Sequence, residues 1–276
     1  KARENRCICF HYIVSSTSRI LVCERIRGFA MQRLKCTIQY DGTNFSGFQV
    51  QPNKRTIQSE FELALQKMHK EGHIKVTPSG RTDSGVHAVG QVIHFDTPLQ
   101  IEEDAWKRAL NTLLPADIYT KNVEKVSNDF HARYNAKQKE YRYRIRQEAE
   151  PDIFMRNYVY GVKDSLDVSR MREACVYFKG THDFTSFSSA RSTVKGDKVR
   201  TLYHIDCFAE KDEIVLQIVG SGFLYNMVRI IAGTLIEIGK NEREPSEIKD
   251  ILLAKDRSKA GKTAPPQGLY LWKVSY

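Results

Sequence analysis

SGRTDSGVHAVGQVIHF, residues 79 to 95, begins as a turn and ends as a strand. Gly80 and Gly85 bracket Arg81, Thr82, Asp83 and Ser84, and glycine tolerates positive φ, so four polar side chains can be presented on a tight loop. Gln91 to Phe95 then alternates polar and apolar residues and is rich in β-branched and aromatic ones, which predicts a half-buried strand. Asp83 stands two residues from Arg81, and a carboxylate beside a fixed guanidinium stays ionised, as a nucleophile or base requires. Taken alone, the loop also fits an ordinary turn whose aspartate bonds its own backbone and whose arginine is a surface charge.

Upstream, Leu34 to Tyr40 alternates like a strand with one buried face, and Asp41-Gly42 ends it. The loop TNFSGFQVQP, residues 43 to 52, places Phe45 and Phe48 around Gly47, where two rings without an obvious core face could line a groove. Thr56 is a good N-cap for an amphipathic helix carrying Ile57, Phe61, Leu65 and Met68 as far as Gly72. A strand near His73 to Thr77, a helix over Ile101 to Leu113 and a strand over Ile118 to Val126 follow. The order strand, helix, strand, strand, helix, strand is that of a ferredoxin-like unit.

Downstream, FHARYNAKQKEYRYRI, residues 130 to 145, mixes cations with aromatics and sets Tyr141, Tyr143 and Ile145 on one strand face and Arg142 and Arg144 on the other. A helix over Val168 to Phe178, strands over Thr201 to Ala209 and Glu213 to Val219, a helix over Phe223 to Ile238 and a strand from Leu269 to Tyr276 make a second, similarly ordered set. The Ser/Thr/Lys/Arg-rich loop 181 to 200, with Phe184, Phe187, Arg191 and Lys195, has a composition suited to phosphate contact and shared by many flexible surface loops. Arg229 lies among Leu224, Val228, Ile230, Ile231 and Leu235, so it needs either a buried partner or a path to water.

The 43 Lys and Arg against 33 Asp and Glu give a net charge of +10, which favours a polyanionic partner, nucleic acid first. Residues 1 to 30 hold six of the cations and two Glu, share no pattern with the rest and are read as an extraneous or disordered segment; without them the charge is +6. The six cysteines form no CxxC pair and no zinc-type spacing, so no metal is expected. No apolar run approaches the roughly 18 to 20 residues of a membrane span, and a soluble, cytoplasmic protein is expected.

Three longer motifs, YDGTNFSGFQVQP (residues 40 to 52), GRTDSGVHA (80 to 88) and GFLYNMVRIIAGTL (222 to 235), resemble those of the tRNA pseudouridine synthase A family, and the resemblance runs from about Met31 to Tyr276. It implies an α+β fold of two ferredoxin-like halves, residues 31 to 146 and 147 to 276, whose antiparallel sheets join across a central catalytic cleft. Asp83 would be the catalytic residue, Arg229 its buried partner, and Tyr141 the residue stacking on the base. Leu269 would form the opposite wall. Arg81, Phe45, Phe48, Gln49, His87, Arg191 and Lys195 would contact substrate. The implied reaction turns uridine into pseudouridine in the anticodon stem-loop of tRNA, at about positions 38 to 40, in a homodimer that uses neither cofactor nor metal. Such a target nucleotide must be flipped out of its stack.

Three rivals remain at this level. A non-catalytic RNA-binding module would stack bases on the same kind of sheet, but no RNP-like run is present and a binder has no use for an aspartate facing a polyanion. A glycosidase would want a second acid, and none stands in the GRTDSGVHA loop. A homologue acting at other tRNA positions would carry the same catalytic motif.

Overall fold

The computed structural model describes residues 31–70, 72–189 and 196–276. The expectations for residues 1 to 30 and for Arg191 and Lys195 lie outside the described residues.

Strand β1 (Gln32–Tyr40) buries every second side chain, as its alternation requires. Helix α1 (Ile57–Met68) opens on a reciprocal cap: Thr56 Oγ1 accepts from the Ser59 amide, and Ser59 Oγ accepts from the Thr56 amide. It turns Ile57, Phe61, Ala64 and Leu65 inward. Strands β2 (Thr77–Pro78) and β3 (His87–Thr97), helix α2 (Glu103–Leu113) and β4 (Ile118–Val126) complete the first set. All its pairings are antiparallel, and they give the order β4-β1-β3, with β2 on the far edge of β3 at Ile93 and His94.

The second set comprises β5 (Gln138–Gln147), the short β6 (Tyr160–Val162), α3 (Val168–Cys175), β7 (Gly180–Asp183), β8 (Val199–Glu210), β9 (Glu213–Gly220), α4 (Met227–Gly239), α5 (Glu247–Ala254) and β10 (Leu269–Ser275). Its main strands run β10-β5-β9-β8, again antiparallel throughout. Counting strands within each set, both follow the order 4-1-3-2 of a ferredoxin-like unit. One parallel contact joins them, His87 and Ala88 of β3 beside Tyr270 and Leu271 of β10. Because β5 pairs with β9 and β10, we place the division between the sets before Gln138 rather than after residue 146.

Helix α4 is buried on almost every side, so it is an internal element rather than an amphipathic one. It starts at Met227, four residues later than the pattern predicts, because Asn226 takes a left-handed φ of 61° that a helix cannot continue through and that asparagine tolerates. Strand β3 is buried along nearly its whole length instead of on one face, so its polar residues Gln91 and His94 are internal. The short elements α5, β6 and β7 are absent from the sequence reading. Among the described residues no helix is long and apolar enough to cross a membrane.

Candidate active site

The loop bearing Asp83 is fixed from several sides. Ser79 is fully buried and bonded at each polar atom: its amide donates to Val92 O (2.7 Å), its hydroxyl to Gln91 Oε1 (2.7 Å), and its carbonyl accepts from Lys139 Nζ (2.7 Å). Gln91 Nε2 donates to Gly80 O at 2.7 Å. Tyr40, buried on β1, shares a 2.8 Å hydrogen bond with Thr82 Oγ1, and the Phe48 amide donates to Thr82 O at 3.0 Å. Gly85 takes a positive φ of 76° and turns the chain into β3. Gly80 serves differently from the expectation: its φ is ordinary, but a Cβ there would lie 3.2 Å from Lys139 Nζ.

The partner of Asp83 is Arg229, whose Nη1 stands 3.6 Å from Asp83 Oδ2. Arg229 is itself held, donating from Nε to Ala264 O at 2.7 Å and from Nη1 to Asn226 Oδ1 at 3.0 Å. The left-handed turn at Asn226 thus both starts α4 and supplies an anchor for the guanidinium. Burial raises the Asp83 pKa above the usual carboxylate value, and the charge of Arg229 opposes that rise. The result is a partly desolvated carboxylate with one fixed counter-charge among the described residues.

Tyr141 projects from β5 into the same region, 8% exposed, with its ring edge-to-face against Phe223 (centroids 4.9 Å apart). Its hydroxyl makes no hydrogen bond among the described residues. Burial, with Tyr40 and the Asp83 charge beside it, pushes its pKa well up, so the phenol stays protonated near neutrality.

Of the other expected site residues, some are exposed and some are buried in the core. Arg81 does not hold Asp83; it is exposed and makes no ion pair among the described residues, because the loop turns it outward. Phe45 and Phe48 are 2% and 1% exposed, and both belong to the core, so neither ring is free to face a substrate. Gln49, next to them, is exposed. His87 is buried on β3 with both ring nitrogens engaged: Nδ1 accepts from the Gly42 amide (3.0 Å) and Nε2 donates to Asn157 O (2.9 Å), while the ring stacks on Tyr270 at 4.7 Å. It borders a cavity of about 300 Å³ lined also by Asp41, Asp117, Tyr158 and Tyr270, and there it ties the segment before β6 to the sheet. Leu269 lies in the core opposite Tyr143. In the loop 181 to 200, Phe184 and Phe187 are buried against each other, and Phe187 also packs edge-to-face on Phe178.

The basic stretch of β5 is also largely engaged within the chain. Arg144 forms a two-pronged pair with Glu213 (both bonds 2.6 Å), and Arg142 bonds Glu140 at 2.8 Å while lying over the Trp272 ring at 4.0 Å. Arg133, Tyr134 and Lys137 remain exposed beside Lys139. The reading by periodicity missed Gln91, Tyr40, Lys139, Asn226 and Phe223.

Two ferredoxin-like strand sets thus bring into one region a clamped, arginine-paired aspartate and a tyrosine whose hydroxyl has no partner among the described residues. The family model described as tRNA pseudouridine synthase matches residues 37–135 and 174–276. The chain is 58% identical over 246 residues to tRNA pseudouridine synthase A of Oceanobacillus iheyensis, covering 89% of this chain and 97% of that protein. It is 56% identical over 246 residues to tRNA pseudouridine synthase A 1 of Bacillus cereus (89% and 99%) and 55% over 245 residues to tRNA pseudouridine synthase A of Geobacillus kaustophilus (89% and 95%). The chain belongs to the tRNA pseudouridine synthase family, and it is an isomerase of that kind.

Proposed function

We propose that this isomerase acts on uridines in the anticodon stem-loop of tRNA, at about positions 38 to 40, with Asp83 as the catalytic residue. The observation that carries the reading is the Asp83 carboxylate, partly desolvated and 3.6 Å from the anchored Arg229. In the reaction the bond from ribose C1′ to uracil N1 breaks, the base turns, and C5 bonds to C1′; the proton lost from C5 is matched by one gained at N1. Asp83 either attacks C1′ directly or removes the 2′ proton to give a glycal. Arg229 keeps the carboxylate ionised in surroundings that favour its neutral form. Tyr141 packs on the flipped base, where its hydroxyl can donate a hydrogen bond or help remove the C5 proton. A chemical map of pseudouridine in tRNA incubated with the purified protein tests the reading. New pseudouridine confined to the anticodon stem-loop supports it, and modification elsewhere assigns the chain to another tRNA region.

Among the exposed cations, Arg81, Arg133 and Lys137 are offered to phosphates, with Tyr134 as a stacking face. Replacing any one of the three by Gln should reduce the slope of log affinity against log salt by about one unit or less. Turnover of bound RNA should hardly change for Arg133 and Lys137. Replacement of Arg144, engaged by Glu213, should leave the slope where it is. The family resemblance further implies a cytoplasmic homodimer, and light scattering on the purified chain tests the dimer.

A further inference from the structure

We propose that Lys139 is a positioning residue that sets the catalytic loop against the strand bearing Tyr141, and that it is not a phosphate contact. The inference rests on the reading of Asp83 and Tyr141 given above. Asp83 belongs to the first strand set and Tyr141 to β5 of the second, so their separation depends on what joins loop to strand. Lys139 and Tyr141 are two residues apart on β5 and therefore project from the same face. From there Lys139 Nζ reaches 2.7 Å from Ser79 O, at the start of the Asp83 loop.

Ser79 is an unusually firm attachment point. It is fully buried, and its amide and hydroxyl are already bonded to Val92 and Gln91 of β3. A bond to its carbonyl therefore locates the loop and β3 together relative to β5. Space is reserved for the contact: any side chain at residue 80 would place its Cβ 3.2 Å from the ammonium group. Burial lowers the Lys139 pKa to about 8, with Arg133 adding to the effect, which marks an ammonium drawn away from water rather than one extended toward it. The exposed cations Arg133 and Lys137 lie on the same stretch and are the ones free for RNA.

The roles separate in single-turnover kinetics at saturating enzyme, with tRNA affinity measured alongside across a salt series. Lys139→Met keeps the aliphatic stem and removes the donor. Its single-turnover rate should fall by about ten-fold or more, because small displacements of reacting groups are costly, while Kd changes less than about three-fold and the salt slope is unchanged. Lys139→Arg, which can still donate to Ser79 O, should recover most of the rate. If Lys139→Met misfolds, Lys139→Gln, too short to reach the carbonyl, carries the same expectation. A Lys139→Met rate equal to wild type would overturn the proposal. So would a loss confined to affinity with a reduced salt slope, which is the signature of a phosphate contact. Wild-type enzyme that converts no uridine in the same tRNA would instead remove the reading on which the proposal stands.

Discussion

Asp83→Asn should abolish isomerisation while leaving tRNA affinity within a few-fold of wild type. The amide has the carboxylate's shape, and the loop under it is fixed by contacts that do not involve the Asp83 side chain: Gln91 to Ser79 and Gly80, Tyr40 to Thr82, and the Phe48 amide to Thr82. The substitution therefore removes the charge and basicity without moving the backbone. An amide can neither attack C1′ as a carboxylate does nor take the 2′ proton, so both forms of the mechanism predict loss, by at least about a thousand-fold in single-turnover rate. Filter retention of labelled tRNA measures the affinity. Activity above about a tenth of wild type would remove Asp83 from the chemistry.

Arg229→Met should lower the rate at neutral pH and move the acid limb of the pH-rate profile upward. Burial raises the Asp83 pKa and Arg229 opposes the rise, so removing the guanidinium leaves desolvation unopposed and the raised pKa climbs further. The active form is the ionised carboxylate. Its population in the variant is thus lost at a higher pH as the solution is acidified, and the limb should shift by about one unit or more. Arg229→Lys should not restore the wild-type profile, since a single ammonium cannot reproduce the spaced donors that reach Ala264 O and Asn226 Oδ1 while facing Asp83. An acid limb that stays in place in Arg229→Met, with the rate reduced evenly at every pH, would show that Arg229 acts by some other route.

How much of this was legible in the sequence depended on distance along the chain. The repeated strand-helix order came from local periodicity, which is strong in β1, α1, α2 and β4. The need for a partner at Arg229 was legible because its helix is apolar, whereas the partner's identity came from family resemblance. Contacts closed only by folding were not legible. The strand face that carries Arg142 and Arg144 does not disclose Glu213 beside Arg144, and Phe45 and Phe48 read as groove rings until the loop carrying them folds onto the Asp83 loop. The Arg81–Asp83 pair predicted from proximity in sequence is replaced by Arg229–Asp83, because neighbours on a tight loop can point in opposite directions. Lys139 reads as one cation among several, since the carbonyl it bonds is sixty residues away.

The most direct test uses tRNA carrying tritium at uridine C5. Joining C5 to C1′ expels the C5 hydrogen, so each isomerisation releases one tritium to water, and release reports the proposed bond exchange itself. With tRNA held on excess enzyme, the account predicts tritium release by the wild-type chain, matched one for one by pseudouridine in the anticodon stem-loop, and none by Asp83→Asn on tRNA it still binds. Release by Asp83→Asn at a rate near that of wild type, or wild-type release without pseudouridine, would contradict it.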